Sequence, residues 1–228
     1  GENGSKYTLT EFDRTSLNKN GYYWYRGSNY YWPMGDYTVV EEPVRVYLGS
    51  EEDHTSNKAV MTTTLADAVA TAKEKSQDTV YVCGNTTLDQ AAAELLNDSN
   101  ITFVRCTEHS SGHMFTVSGD VTLNGAHIDG MNVAGDASLI YVPASGHLTI
   151  TGDTLIENGK NAAPKGTGGA IQLQQGGLTM TGGTITGNSA REGGGIYAYS
   201  SLNGNKIVFE GGKVSNNTAT GGNGGGGA

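Results

Sequence analysis

Residues 179–197 read TMTGGTITGNSAREGGGIY. A helix loses about 1 kcal/mol for each glycine relative to alanine, and glycine also weakens the interior of a strand. The glycines here are grouped between short apolar pieces, where they supply the positive φ values of sharp corners. The stretch therefore predicts very short strands that are joined by glycine-rich turns.

Three kinds of strand-like piece recur along the chain at steps of 20 to 31 residues. The first kind, apolar-x-apolar, comprises 80–82, 101–103, 121–123, 148–150, 178–180 and 207–209. The second has one inward residue, at Ile128, Leu155, Ile185 and Val214, and the third comprises 115–117, 140–142, 171–173 and 196–198. Stacked coil on coil, equivalent strands pair in parallel and alternate residues fill a narrow core. The repeat predicts an all-β fold, a right-handed parallel β-helix or solenoid.

The chain is predicted to divide into three regions. Residues 1–60 form an aromatic N-terminal β segment that packs on or beside the solenoid, 61–77 hold a capping α-helix, and 78–228 form the β-helix. In the helix, the apolar residues Leu65, Ala68, Val69 and Ala72 share one face, and Thr64 followed by Asp67 resembles a capping box. Residues 89–96 predict a second helical turn. The final GGNGGGGA (221–228) resembles the approach to a further coil, so we expect the coils of a longer parent protein to continue.

The glycine and asparagine units carry a resemblance to known repeats. GGAI (168–171), GGGI (193–196) and the apolar-x-x-Asn-x-Ala units ending at Ala190 and Ala219 resemble the GGAI and FxxN repeats of polymorphic outer-membrane adhesins. They are similar also to β-helix repeats in large cell-wall proteins of Gram-positive gut bacteria, with Leu, Ile or Val replacing the usual Phe. The resemblance implies a bacterial cell-surface or secreted protein. Stacked Asn158, Asn188 and Asn217 are expected to form a structural ladder of amides.

Composition excludes several classes of function. The net charge is −9 and no basic patch is present, so nucleic acid is not an expected partner. No apolar run approaches the roughly 18 residues of a membrane span, so membrane insertion is not expected. Cys83 and Cys106 follow predicted neighbouring strands; a bridge between them and two buried free thiols are both open. We expect a monomeric segment within the longer chain.

Aromatic residues are concentrated near the N-terminus. Both tryptophans and seven of the twelve tyrosines lie between positions 22 and 47, and two aromatic runs flank a turn-like Arg26-Gly27-Ser28-Asn29, which predicts a β-hairpin over 21–37. Such composition favours ligand contact, although half-buried packing on the solenoid would also explain it. The candidate binding residues here are Tyr22, Tyr23, Trp24, Tyr25, Arg26, Tyr30, Tyr31 and Trp32. A second candidate surface is an exposed stripe of Tyr141, Gln172 and Tyr197, with Gln174 and Tyr199 beside it.

The outward positions of the predicted faces show no catalytic pair. In the predicted register Asp129 is a lone acid on its face. Leu155 points inward, so its neighbours Thr154 and Ile156 point outward, and Glu157 lies at the edge of that strand. Motifs for hydrolases, phosphate loops and dinucleotides are absent. The spacing of Cys106, His109 and His113 is faintly typical of zinc sites but lacks a fourth ligand. We predict no catalytic residue, no metal and no cofactor.

These observations favour a non-catalytic adhesion module that engages a host protein or a glycan through an aromatic surface. An immunoglobulin is one version of the protein partner. A fragment of a carbohydrate-active enzyme, such as a polysaccharide lyase or glycosidase, and a passive stalk are the alternatives.

Overall fold

The computed structural model describes residues 64–97, 100–107, 111–199 and 206–221. They form a parallel β-solenoid of about four turns, with the two helices α1 (Leu65–Glu74) and α2 (Gln90–Leu96) near its start. Within these ranges the strands assemble into four sheets, named A to D here, and all the pairings between these strands are parallel. The predicted parallel β-solenoid is therefore confirmed.

Each complete coil passes through the four sheets in the order A, B, C, D. Sheet A contains β1 (Thr79–Val82), β3 (Thr102–Arg105), β6 (His127–Asp129), β10 (Leu155–Glu157), β14 (Thr184–Thr186) and β18 (Lys213–Ser215). Sheet B contains β7 (Ala134–Gly135), β11 (Lys160–Asn161), β15 (Ser189–Ala190) and β19 (Thr218–Ala219). Sheet C contains β2 (Thr86–Leu88), β4 (Phe115–Val117), β8 (Ile140–Val142), β12 (Ile171–Gln174) and β16 (Ile196–Tyr199). Sheet D contains β5 (Asp120–Asn124), β9 (His147–Thr151), β13 (Gly177–Met180) and β17 (Ile207–Phe209).

The core is a stack of apolar side chains that follows the solenoid axis. Since side chains alternate along a strand, one residue of each three-residue strand of sheet A points inward. The cross-strand register aligns the inward residues Phe103, Ile128, Ile156 and Ile185, all fully buried. Burying one such side chain contributes about 1.5–3 kcal/mol. The narrow core is thus supplied coil by coil, as the repeat predicts.

The register of β10 differs from the prediction by one residue. Ile156, not Leu155, aligns with Ile128 and Ile185, and Leu155 lies outward beside His127. The turn after β9 (152–154) contains one more residue than the turn after β5 (125–126). The buried Thr154 fills the corner, where its Oγ1 donates to the carbonyl of Thr151 at 2.8 Å. Two adjacent apolar residues left the sequence pattern ambiguous by one position, which exchanges the two faces of the strand.

The first coils also differ from the prediction. The strands β1 and β3 were predicted to align with the pieces at 121–123 and 148–150. They belong to sheet A instead, where β1 pairs with β3 and β3 pairs with β6. In the first coil α2 takes the place that sheet D occupies later. Side chains of this helix and of its C-cap residue bond the edge of β5: Gln90 Oε1 accepts the Thr122 N–H at 2.9 Å, and Asn97 Nδ2 donates to the Thr122 carbonyl at 3.0 Å. The helix thereby satisfies an edge that would otherwise lack strand partners.

The helix α1 has the buried face and the N-cap residue that its sequence predicts. Leu65, Ala68, Val69 and Ala72 are buried, and they belong to the same apolar cluster as the solenoid core. The N-cap Thr64 accepts the Asp67 N–H at 3.1 Å and donates its hydroxyl to the Asp67 carboxylate at 2.7 Å. The first of these bonds is the N-cap half of a capping box, and in the second the Asp67 carboxylate accepts from the threonine hydroxyl.

Glycine forms the corners that lead into sheet A. Gly183 and Gly212 have φ values of +75° and +82° and directly precede β14 and β18. Residues with a Cβ atom are strained in this backbone conformation, whereas glycine adopts it readily. The glycine pairs of the sequence are therefore structural corners.

A disulfide bond joins Cys83 to Cys106, with their Cα atoms 4.9 Å apart. The two cysteines directly follow β1 and β3, at register-equivalent positions of neighbouring coils. With Tyr81 and Val104 they form a second, smaller buried cluster on the outer side of sheet A, to which Met131 packs. Of the two open readings of these cysteines, the structure has the bridge.

Candidate functional site

The residues of the predicted aromatic stripe lie on the outer side of sheet C, where Tyr141, Gln172, Gln174 and Tyr197 are half-buried and Tyr199 is exposed. The register aligns Tyr141 with Gln172 and Gln172 with Tyr197 on three successive strands. A second row aligns Gln174 with Tyr199, a residue that is 48% exposed. We call these five residues the Tyr/Gln face. With parallel strands about 4.8 Å apart, Tyr141 and Tyr197 lie about 10 Å apart along the axis.

His113 extends this face at the corner before β4. Its ring stacks on that of Tyr141 with centroids 4.6 Å apart and an interplanar angle of 17°. The imidazole Nδ1 lies 2.9 Å from the Ser138 hydroxyl. Burial lowers the pKa of His113 below 6.5, an effect that the nearby Arg105 reinforces and that the hydrogen bond to Ser138 and the charge of Asp136 oppose. His113 is therefore a neutral ring that fixes one side of Tyr141.

Arg105 lies behind the same corner and bonds two of its backbone carbonyls. It is buried, and its Nη2 donates to the Gly112 carbonyl at 2.7 Å and to the Ser138 carbonyl at 3.3 Å. Burial lowers the Arg105 pKa to about 10, against the opposing effect of Asp136, so the guanidinium stays charged at neutral pH. Asp136 itself accepts the Gly112 N–H at 2.6 Å. Gly112, which directly precedes His113, is thus held through both its carbonyl and its N–H.

The zinc-like spacing of Cys106, His109 and His113 does not give a metal site of that composition. Cys106 is bonded to Cys83, so its sulfur is not a thiolate ligand. His113 stacks on Tyr141, and His109 lies outside the described residues. The sequence had offered no signal for the partnership of His113 with Tyr141, because the two residues meet only through the stacking of adjacent coils.

The asparagines divide into two structural roles. Asn188 is buried, and its Nδ2 donates to Asn217 Oδ1 at 2.9 Å, whereas Asn188 Oδ1 accepts the Gly159 N–H at 2.8 Å. Asn158 lies one position earlier in its coil, with a φ of +55°, and donates to Asp129 at 3.0 Å. The predicted ladder of three amides is therefore a pair, Asn188 with Asn217. The one-residue shift in β10 removes Asn158 from it.

The same shift creates a cluster on the outer side of sheet A. The register places Glu157 beside Asp129, and His127 Nε2 lies 2.8 Å from Glu157 Oε1. One ligand atom from each of His127, Asp129 and Glu157 lies within 4.8 Å of the other two. The expectation that no face carries paired carboxylates is therefore wrong. That expectation depended on placing Leu155 inward, which would align Glu157 with the residue after Asp129 instead of with Asp129 itself.

Neighbouring groups orient this cluster. The Thr102 hydroxyl lies 3.0 Å from His127 Nδ1. Asp129 Oδ1 accepts the Met131 N–H at 2.7 Å and the Asn158 Nδ2–H at 3.0 Å. The side chains of His127 and Glu157 are 35% and 24% exposed, so the cluster is open to solvent on one side.

The predicted N-terminal binding residues, Tyr22, Tyr23, Trp24, Tyr25, Arg26, Tyr30, Tyr31 and Trp32, lie outside the described residues. No family model, curated protein or solved structure matches the chain. Among the described residues, neither helix has the length and apolar character needed to traverse a bilayer.

Proposed function

We propose that this chain is a non-catalytic binding module of a bacterial surface protein, and that the Tyr/Gln face binds a glycan. The observation that carries the proposal is the alignment of Tyr141, Gln172 and Tyr197 on three successive strands of one rigid sheet. In this proposal the solenoid is right-handed and α1 closes its N-terminal end. The aromatic hairpin predicted for residues 21–37 packs on it or adds a second contact surface.

The chemistry of the face suits a sugar chain. Tyrosine rings offer flat apolar surfaces for the C–H faces of pyranose rings, and they lose little side-chain entropy on binding. The glutamine amides, between and beside the rings, both donate and accept hydrogen bonds, as sugar hydroxyls require. The stacking of His113 on Tyr141 fixes one ring before the ligand arrives, which lowers the ordering cost of binding.

The disulfide supports an extracellular location for the module. Disulfide bonds persist in oxidising surroundings such as the cell surface and are rare in the reducing cytosol. The bond between Cys83 and Cys106 therefore agrees with the bacterial surface location that the repeat resemblance implies.

A glycan array tests the proposal directly. We expect the chain to bind a defined set of glycans, and Tyr197→Ala and Gln172→Ala each to weaken that binding about tenfold, since a contact of about 1.4 kcal/mol corresponds to a factor of ten. Thr149→Ala, at a half-buried outward position of sheet D, is the matched control and should bind normally. Unchanged glycan affinity in both face variants would contradict the proposal.

A host protein, an antibody included, is the partner if serum or mucus proteins bind and glycans do not. Trp24→Ala and Trp32→Ala then distinguish the two surfaces. Loss of binding in these variants alone would assign recognition to the N-terminal segment, and loss in Tyr197→Ala alone would assign it to the Tyr/Gln face.

A carbohydrate-active enzyme is a second candidate, favoured by the side-by-side Asp129 and Glu157. Paired carboxylates are the usual acid and base, or acid and nucleophile, of glycoside hydrolysis. A polysaccharide that binds at Asp129 and Glu157, rather than at the Tyr/Gln face, would then be cleaved over time, and Asp129→Asn would abolish the cleavage. Stable binding without product release favours the non-catalytic module.

A further inference from the structure

The cluster of His127, Asp129 and Glu157 brings one imidazole and two carboxylates together on neighbouring strands of sheet A. We propose that these three residues bind a divalent transition-metal ion, of which zinc is the test case. The site lies on a different sheet from the Tyr/Gln face, so it stands or falls separately from the proposed glycan binding.

The distances suit such an ion. Zinc binds imidazole nitrogen and carboxylate oxygen at about 2.0–2.2 Å, so tetrahedral ligand atoms lie about 3.4 Å from one another. In the cluster His127 Nε2 and Glu157 Oε1 are 2.8 Å apart, and all three ligand atoms lie within 4.8 Å of one another. Small side-chain rotations bring the three atoms onto one ion. The solvent-exposed side leaves the fourth position to water.

The donor set selects the class of metal. Imidazole suits zinc, copper, iron and nickel, whereas sites made only of carboxylate, carbonyl and water oxygens suit magnesium and calcium. One nitrogen and two carboxylates therefore favour a transition metal over calcium. Two carboxylates and a neutral imidazole carry a charge of −2, which a divalent ion neutralises.

The surrounding contacts are those that orient metal ligands. A ligating histidine donates its other ring N–H to a nearby acceptor, and the Thr102 hydroxyl lies 3.0 Å from His127 Nδ1. Metal binding uses the tautomer in which Nε2 faces the ion and Nδ1–H donates to the Thr102 hydroxyl. Asp129 is already held by the Met131 N–H and by Asn158. These contacts come from the preceding strand and from two turns.

Like charges explain why a cation stabilises this arrangement. Asp129 and Glu157 occupy directly opposed positions on neighbouring strands, and like charges so placed are destabilising. The contact of His127 Nε2 with Glu157 Oε1 engages one carboxylate oxygen. It leaves the two carboxylates adjacent, and a metal ion between them converts the repulsion into attraction.

Calorimetric titration of the chain with zinc chloride at pH 7.5 tests the proposal. We expect one saturable site that Asp129→Asn and Glu157→Gln each abolish or weaken at least tenfold. Thr102→Val, which removes only the partner of Nδ1, should weaken it about 10–100-fold. Asp153→Asn removes an exposed charge from the turn before β10 and is the matched control, with affinity unchanged.

Two results would overturn the proposal: equal zinc affinity in wild type and Asp129→Asn, or no zinc binding at millimolar concentration. Binding of calcium in preference to zinc would refute the metal class. Circular dichroism checks that each variant is folded. If a variant unfolds, nitrogen NMR of the wild-type chain decides instead, because zinc must shift the Nε2 resonance of His127 and leave that of His147 in place.

Discussion

The register of β10 makes a quantitative prediction, because it decides which of two adjacent apolar residues supports the core. Ile156 is fully buried between Ile128 and Ile185, and Leu155 lies half-buried on the outer side. The change Ile156→Ala deletes a buried side chain from a stack whose neighbours are held by their own strands. Its cavity can therefore close only partly.

The expected cost of Ile156→Ala is about 3–4 kcal/mol, within the roughly 2–5 kcal/mol found for large apolar residues in cores. Leu155→Ala removes a partly solvated side chain and should cost about 1 kcal/mol or less. With a urea slope of about 2 kcal/mol per molar, the two midpoints should fall by about 1.5–2 M and at most about 0.5 M.

Urea unfolding followed by far-UV circular dichroism measures both variants under the same conditions. The coils of a solenoid can unfold with limited cooperativity. Both substitutions lie in the same strand, so they affect the same cooperatively unfolding coils and their midpoints can be compared directly. A Leu155→Ala midpoint as low as that of Ile156→Ala would refute the register. It would also separate Glu157 from Asp129 and remove the basis of the proposed metal site.

Two further predictions concern the disulfide and His113. Replacing Cys83 and Cys106 by serine should lower the free energy of unfolding by about 3 kcal/mol, since the bond closes a loop with a sequence separation of 23 residues. If reductant leaves the unfolding midpoint of the wild type unchanged, this prediction is wrong. Burial lowers the pKa of folded His113 below its unfolded value of 6.5. Below about pH 6.5 this histidine therefore binds more protons in the unfolded chain than in the folded one, and the free energy of unfolding decreases as the pH falls toward the pKa of the folded state. His113→Phe keeps an aromatic ring beside Tyr141 and should flatten this loss between pH 7 and 5, measured by thermal unfolding; an unchanged slope would mean that His113 does not cause it.

Much of the solenoid could be predicted because its strands carry a strong apolar signal. Phe115, Ile140, Ile171 and Ile196 recur at positions that the structure aligns in sheet C. The same alternation placed Tyr141, Gln172 and Tyr197 on the outer side. Where each strand has two inward residues, a shift by one would bury polar groups, so the pattern tolerates only one register.

Sheet B and the first coils carried too little signal. Strands of two residues, such as Ser189–Ala190, cannot show an alternation, so the fourth side of the coil was missed. Near the start, α2 takes the place of a sheet D strand, and the apolar pieces before it were therefore assigned to the wrong sheet. The contact of His113 with Tyr141 depends on corner geometry that no local pattern encodes.

The cluster of His127, Asp129 and Glu157 on sheet A shows how a change in a turn can create a candidate metal site in a solenoid. In the register predicted from sequence, Glu157 would stand beside Gly130, and Asp129 beside Ile156. The extra residue in the turn after β9 moves Glu157 back by one position and sets it against Asp129. Ile156 pairs with Ile185 in sheet A, and four residues later Lys160 pairs with Ser189 in sheet B, so the extra residue is accommodated in the corner before β10. A change in turn length thus brings together side chains that lie about 30 residues apart. Because the sheets of a solenoid share only the core, the Tyr/Gln face and this cluster are physically independent surfaces.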